Sequence, residues 1–343
     1  MRRHRSSEEA SVIRLVGMLG RERNLEINKS DDKAILLRTL VDAVSHVPQN
    51  EILVHGTRVE AMFSYVASAL GHCEAIKQED AGELYCAKSD IAVPDFRVLT
   101  SGGEEFFVEV KNCHKVGTKY RYRMTHEYLT KLRNYADMFD RKLKIAIYWS
   151  RHSLWTLVPL GALVSDGRHC SISMEQCMKR NEMKVLGDSM VGTVPPITLT
   201  VITDPSQPRR VGSDGRPAFT ISNIRLTCGG REVRDPFECK LAWFLFLYGD
   251  WNSGDPEIDV KDGELAQIYF EATKDRVEGQ QFTVLGFLSR MISLQFNELT
   301  AEEGEIVRLS PSTDPGELGI LIPADFKGKD VRLWRFTMSP NYE

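Results

Sequence analysis

No run of 18 apolar residues interrupts this 343-residue sequence, so it offers no helix able to span a membrane. Its seven cysteines, Cys73, Cys86, Cys113, Cys170, Cys177, Cys228 and Cys239, include no C-x-x-C pair. An odd number without paired spacing argues against a disulfide framework and a zinc knuckle, and predicts a reducing, cytoplasmic setting. His169-Cys170 with Cys177 is the nearest approach to a ligand cluster, and it lacks a second ligand pair. There is no excess of positive charge: 44 Lys and Arg against 48 Asp and Glu leave a net charge of −4. A general polyanion binder is usually basic. That balance still permits an enzyme acting on a polyanion, with an acidic metal site and basic residues gathered elsewhere. The basic start, Met1-Arg2-Arg3-His4-Arg5, is followed by no apolar segment or small-residue cleavage site. No secretory signal is expected there, only a short disordered arm. Internal repeats are absent.

What is present suits a soluble protein with a real core: 42% hydrophobic and 27% charged residues. The length predicts two domains, or one with an appended module. Helical spacing of Ile35, Leu36, Thr39, Leu40 and Ala43 predicts a helix over 31–47 closed by Pro48. Val59, Met62, Phe63, Val66 and Leu70 form one stripe on a second helix, 57–70, ended by Gly71. Three strand-like runs follow at 73–78, 87–99 and 105–112, with turns at Ala81-Gly82 and Ser101-Gly102-Gly103. The third alternates, with Phe106, Val108 and Val110 on one face and Phe107, Glu109 and Lys111 on the other. A helix over 124–139, an unbroken apolar strand over 143–149 and a strand over 154–159 complete an α-α-β-β-β-α-β-β order. This order predicts an α/β sandwich around a mixed sheet. Beyond it the signal weakens. A helix is read at 173–184, a loop at 204–217, helices near 237–247 and 282–299, and strands near 319–323 and 331–338. These make a second α+β module of unknown role.

Pro94-Asp95 falls in the second predicted strand, and Glu109-Val110-Lys111 ends the third. Two carboxylates on neighbouring strands can share a hard cation such as Mg²⁺, whose ligands are oxygens. A lysine two residues after a carboxylate on a strand faces the same way. Its ammonium can orient water and offset negative charge that builds on a phosphoryl transition state. The (D/E)-x-K tripeptide alone means little, because it begins at Asp31, Glu109, Asp140, Glu182, Glu238, Asp259 and Asp325. Pro-Asp occurs once, and only one of these tripeptides follows it at short range. Asp90, on the same predicted strand, is a minor alternative to Asp95.

In these residues the stretch 31–159 resembles the PD-(D/E)XK superfamily, which includes restriction endonucleases and archaeal Holliday junction resolvases. The resemblance implies a restriction-endonuclease-like mixed central sheet flanked by helices. It also implies a metal-dependent phosphodiesterase, a DNA endonuclease by default, with Asp95, Glu109 and Lys111 at its centre. Mg²⁺ is the expected ion, with Mn²⁺ as a substitute. An upstream helix in the family often adds a glutamate near the metal, and Glu60 fits that place. The helix after the catalytic strands often adds a polar residue, for which Lys131 is the candidate. Lys115, Lys119, Arg121 and Arg123, interleaved with Tyr120 and Tyr122, lie between strand and helix and suit a phosphate backbone.

The expected division is an N-terminal arm, partly disordered, over 1–30, a nuclease domain over 31–195, and a C-terminal module over 196–343. The role of that module is left open; a partner protein or a second copy could be held through it. By analogy with the family, restriction or anti-phage defence is the expected setting. The alternatives are a catalytically silent nucleic-acid-binding or assembly module on the same fold, or an RNA-cleaving nuclease.

Overall fold

The computed structural model describes residues 1–2, 8–26, 28–46, 50–81, 83–115, 117, 119–212, 216–252 and 254–341. Arg3, His4, Arg5, Pro48 and Gly82, read above as an arm, a helix stop and a turn, lie outside them. Three helices come first: α1 (Glu8–Arg23), α2 (Ser30–His46) and α3 (Glu51–Ala69). The first occupies part of the stretch expected as an arm. The side chain of Asn50 accepts the Leu53 N–H at 3.1 Å and caps α3, so this helix begins ahead of the predicted 57–70. Its stripe of Val59, Met62, Phe63, Val66 and Leu70 is buried throughout.

There follow β1 (Cys73–Gln78), β2 (Phe96–Thr100), β3 (Glu105–Cys113), β4 (Arg121–Thr125), α4 (His126–Met138), β5 (Lys142–Trp149) and β6 (Leu154–Pro159). Five of these strands form a mixed sheet in the order β1-β2-β3-β5-β6, in which only β3 and β5 run parallel. The two-residue period of β3 divides its side chains between two cores. Phe106, Val108 and Val110 meet Val59, Met62 and Phe63 of α3, while Phe107 meets Leu132 and Tyr135 of α4. The architecture is therefore a mixed sheet flanked by helices. One predicted strand is corrected: 87–99 shrinks to β2, and residues 83–94 are irregular. Pro94 has no N–H to give a ladder, and Asp95 stands just outside the strand.

The chain continues through β7 (Val164–Ser165), β8 (His169–Ser173), α5 (Met174–Lys179), β9 (Met190–Thr193), β10 (Ile197–Thr203), β11 (Arg210–Val211) and β12 (Pro217–Ala218). Next come β13 (Ile221–Cys228), β14 (Arg231–Glu232), α6 (Pro236–Tyr248), β15 (Glu257–Lys261), β16 (Glu264–Ala272), β17 (Thr283–Phe287) and α7 (Leu288–Thr300). The last strands are β18 (Ala301–Glu302), β19 (Glu305–Ile306) and β20 (Leu333–Phe336). A second five-stranded sheet, β14-β13-β10-β16-β15, is antiparallel throughout. The helix predicted over 282–299 divides into β17 and α7, and the stretch predicted as a strand at 319–323 is irregular. Buried residues of α6 and α7, among them Leu241, Met291, Ile292 and Phe296, share one core with α3 and β3. Tyr65 of α3 adds a polar tie, donating its hydroxyl to the Pro311 carbonyl at 2.9 Å.

Asp188 shows how that shared core is fixed. Fully enclosed, its carboxylate accepts the Ser289 N–H at 3.0 Å and the Ser289 hydroxyl at 2.6 Å, at the first turn of α7. Burial pushes its pKa up to about 6, against the pull of these donors. Because the folded state binds the proton more tightly, the contribution of Asp188 to stability is fully present below the unfolded value near 4 and is lost as pH rises through 6. In urea titrations, wild type is therefore expected to lose about 2 kcal/mol relative to Asp188→Asn between pH 4 and pH 8. A constant difference across that range would remove the linkage.

Candidate active site

The site forms where β2 and β3 part. Their ladder ends at the pair Phe96↔Val108, leaving the backbone of β3 beyond it without a strand partner on that side. Asp95 takes over: its Oδ2 accepts the Val110 N–H at 2.5 Å, and its own carbonyl accepts the Glu79 N–H at 2.9 Å. Held from both flanks, this carboxylate is 8% exposed. Glu109, one residue before Val110, projects from the opposite face of β3 and is 1% exposed. Its Oε1 is ion-paired with Lys111 and accepts the Tyr128 hydroxyl at 2.6 Å. Its Oε2 is buried and has no hydrogen-bond partner.

Tyr128 reaches Glu109 because α4 starts immediately after β4. The Thr125 side chain accepts the Tyr128 N–H at 3.2 Å and caps the helix, which places Tyr128 in its first turn. The Lys111 ammonium lies 5.3 Å from the centre of the Tyr128 ring. From α3 comes Glu60, half-buried. One carboxylate oxygen from each of Glu60, Asp80 and Asp95 lies within 4.8 Å of the others.

Electrostatics joins these groups. Burial raises the pKa of Asp95, and the charges of Glu109 and Glu60 add to it against Lys111 and the Val110 N–H. Glu60 is also raised, by burial first and then by Asp80, with Lys111 opposing. Burial works against the Lys111 ammonium, yet Glu109, Tyr128 and Asp95 outweigh it and hold that pKa above its usual value. Tyr128 is raised by burial and by Glu109, so its hydroxyl stays a donor. The cluster thus gathers more acidic groups than its one ammonium can balance, and Asp95 and Glu60 hold their protons more tightly than free carboxyls.

Of the residues singled out from the sequence, Asp95 and Glu60 share the carboxylate group with Asp80, while Glu109 and Lys111 form an ion pair beside it that acts on both through charge and stands outside that group of three. Lys131 does not reach them; its Nζ lies 2.6 Å from Glu127 one turn away on α4. Asp90 stands apart, its carbonyl accepting the Asn134 side-chain N–H at 2.8 Å. Lys115 lies over Tyr120 at 5.8 Å, and Arg121 donates to the Ser171 hydroxyl at 3.0 Å. Lys119 and Arg123 are exposed. The sequence reading missed two residues. Tyr128 falls beside the apolar stripe of Leu132 and Tyr135 on α4, and a tyrosine on the border of such a stripe carries a polar tip. Asp80 follows β1 directly, and antiparallel pairing of β1 with β2 brings it beside Asp95.

No family model matches the chain, and no curated protein matches it. Among solved structures it is similar to Hjc of Archaeoglobus fulgidus, a Holliday junction resolvase from an archaeal hyperthermophile. The likeness has 18% identity and a TM-score of 0.30, and covers 39% of this chain and 96% of that one. Among the described residues no helix is long and apolar enough to cross a membrane.

The donors that remain for a ligand are carboxylate oxygens. Asp95 gives one oxygen to a backbone N–H and Glu109 gives one to Lys111 and Tyr128. Such a set suits a hard divalent cation and not a thiolate-seeking one.

Proposed function

We propose that the chain is a divalent-metal-dependent nuclease of the PD-(D/E)XK kind, hydrolysing phosphodiester bonds in DNA. The observation that carries this reading is the Oε2 atom of Glu109, buried without a donor on a carboxylate whose other oxygen is already held. A buried, unpaired carboxylate oxygen is costly, and a coordinated cation removes that cost. Mg²⁺ fits the all-oxygen donor set, with Mn²⁺ as a substitute. Asp95, Glu109 and Glu60 would hold the ion, with Asp80 as a further carboxylate. When bound, it makes water a stronger acid and polarises a phosphoryl oxygen. Lys111 then orients the attacking water and offsets charge developing on the phosphoryl group. Asp95 must release its proton to serve as a ligand, so metal loading strengthens as pH rises through its elevated titration range.

Tyr128 is a positioning residue in this scheme. It fixes one oxygen of Glu109 and so aims the other. Tyr128→Phe removes only the donor, and is expected to lower metal affinity or cleavage about ten- to a hundredfold. Single-turnover rates over a range of Mg²⁺ concentrations read this effect, and a curve identical to wild type would detach Tyr128 from the site.

On this reading the first sheet with α3 and α4 is a restriction-endonuclease-like core, residues 31–195 are the nuclease domain, and 196–343 a module available to a partner protein or a second copy. A cytoplasmic role in restriction or anti-phage defence belongs to the same proposal. The test is incubation with supercoiled plasmid, single-stranded DNA and RNA, in Mg²⁺, Mn²⁺ or EDTA. DNA cleavage that needs the metal supports the proposal. Cleavage of RNA alone replaces the substrate, and binding without cleavage favours a silent module.

A further inference from the structure

Beside the acidic cluster, and sharing Glu60 and Lys111 with it, lies a cleft of about 590 Å³. Its basic lining comes from three elements: His55 from α3, Lys111 and His114 from β3 and its end, and Arg151 from the short 3₁₀ turn after β5. Glu51 and Glu60 of α3 and Tyr122 of β4 also face it. The rings of His55 and His114 meet edge to face at 5.5 Å.

His114 sits in a polar chain with a definite direction. Ser150 donates its hydroxyl to the Cys113 carbonyl at 3.2 Å, and therefore accepts from His114 Nδ1 at 2.8 Å. The proton is thus on Nδ1, and Nε2 accepts the Asn112 side-chain N–H at 2.8 Å. This arrangement leaves Asn112 Oδ1 buried without a donor. A proton on Nε2 can be accepted within the same chain, because the Asn112 amide turned by half a rotation offers Oδ1 to the new N–H. His114 can therefore become an imidazolium without losing either contact once something balances its charge. In the free protein burial, His55 and Arg151 all work against that charge, keeping the pKa of His114 low.

We propose that this cleft holds a phosphodiester group of a bound DNA strand, next to the one that is cut, and that its arrival protonates His114. The inference rests on the nuclease reading and extends it with a subsite. Both nitrogens of His114 are engaged within the protein, so it contributes charge, while Arg151, which is exposed, and His55, which is half-buried, supply direct donors. The subsite is separate from Lys115, Lys119, Arg121 and Arg123, the residues the sequence nominated for docking.

The test is titration of fluorescent single-stranded DNA with the full chain in EDTA, at pH 6 and pH 8.5, for wild type, His114→Gln and Arg151→Ala. Carboxylates in the acidic cluster also change charge over this range, and comparing wild type with His114→Gln cancels them. Wild type should bind about three- to tenfold tighter than His114→Gln at pH 6 and nearly equally at pH 8.5. Arg151→Ala should weaken binding at both pH values and reduce the slope of log affinity on log salt by about one. Because Arg151 is exposed, that variant keeps the test standing if His114→Gln fails to fold. Equal affinities of wild type and His114→Gln at pH 6, or an unchanged salt slope for Arg151→Ala, would overturn the subsite. So would the same His114 dependence for inorganic phosphate with none for DNA. Plasmid cleavage in Mg²⁺ is scored separately: a chain that cuts without His114-linked binding loses the subsite and keeps the nuclease. One that binds in this way and never cuts does the reverse.

Discussion

Lys111→Ala is expected to slow single-turnover DNA cleavage by about a hundredfold or more, the scale on which one preorganised electrostatic group acts. The ammonium is held by Glu109 and by the face of Tyr128, and the field of Asp95 reinforces its charge. It cannot serve as a proton acceptor at ordinary pH. Its work is to place water and to balance charge that grows on the phosphoryl group, and this concerns the chemical step more than binding. DNA affinity should therefore fall far less than the rate. The substitution also leaves Glu109, 1% exposed, without its cationic partner. Removing one side of a buried ion pair costs several kcal/mol, so the metal-free variant should melt lower than wild type. Mg²⁺ replaces the missing positive charge, and should raise the variant's melting temperature more than that of wild type. Cleavage at the normal rate would make the Glu109-Val110-Lys111 match a coincidence.

The elements around this site were legible to different degrees, for physical reasons. The stripe of α3, the alternation of β3 and the apolar run of β5 are each dictated by burial, and burial leaves a periodic trace in the sequence. Asp95, Glu109 and Lys111 could be read because their chemistry is compressed into two short motifs. The second strand was drawn too long because residues 87–93 look strand-like in isolation. Pro94, which cannot donate to a ladder, marks the true edge, and Asp95 replaces the missing strand partner with a side chain. Asp80 and Tyr128 were hidden for another reason. Each belongs to the site through a contact between elements, set by the pairing of β1 with β2 and by the cap that starts α4. No local pattern encodes either contact. A run of basic residues likewise marks net charge and not direction. Arg121 and Lys131 turn out to be tied to Ser171 and Glu127, whereas His55, His114 and Arg151 come from distant stretches to line one cleft.

Glu109→Gln separates the metal from the scaffold. The amide keeps the shape of the side chain and can still accept from Tyr128, but it discards the negative charge and weakens the one buried oxygen left free for a cation. Cleavage is expected to fall on the order of a thousandfold, at the upper end for loss of a preorganised group. Without metal the variant should melt lower than wild type, because the amide no longer carries the charge that pairs with the buried Lys111 ammonium. Wild type should gain about 3 kcal/mol at a Mg²⁺ concentration a hundred times its dissociation constant, a rise of several degrees in melting temperature. The variant should show little of that rise. Calorimetry in EDTA and in Mg²⁺ decides the matter independently of any cleavage assay. If Glu109→Gln keeps the full metal-induced shift, the ion is held by Glu60, Asp80 and Asp95 alone, and Glu109 serves only to anchor Lys111. If neither protein responds to divalent ions, the acidic cluster is a structural feature and the nuclease reading falls with it.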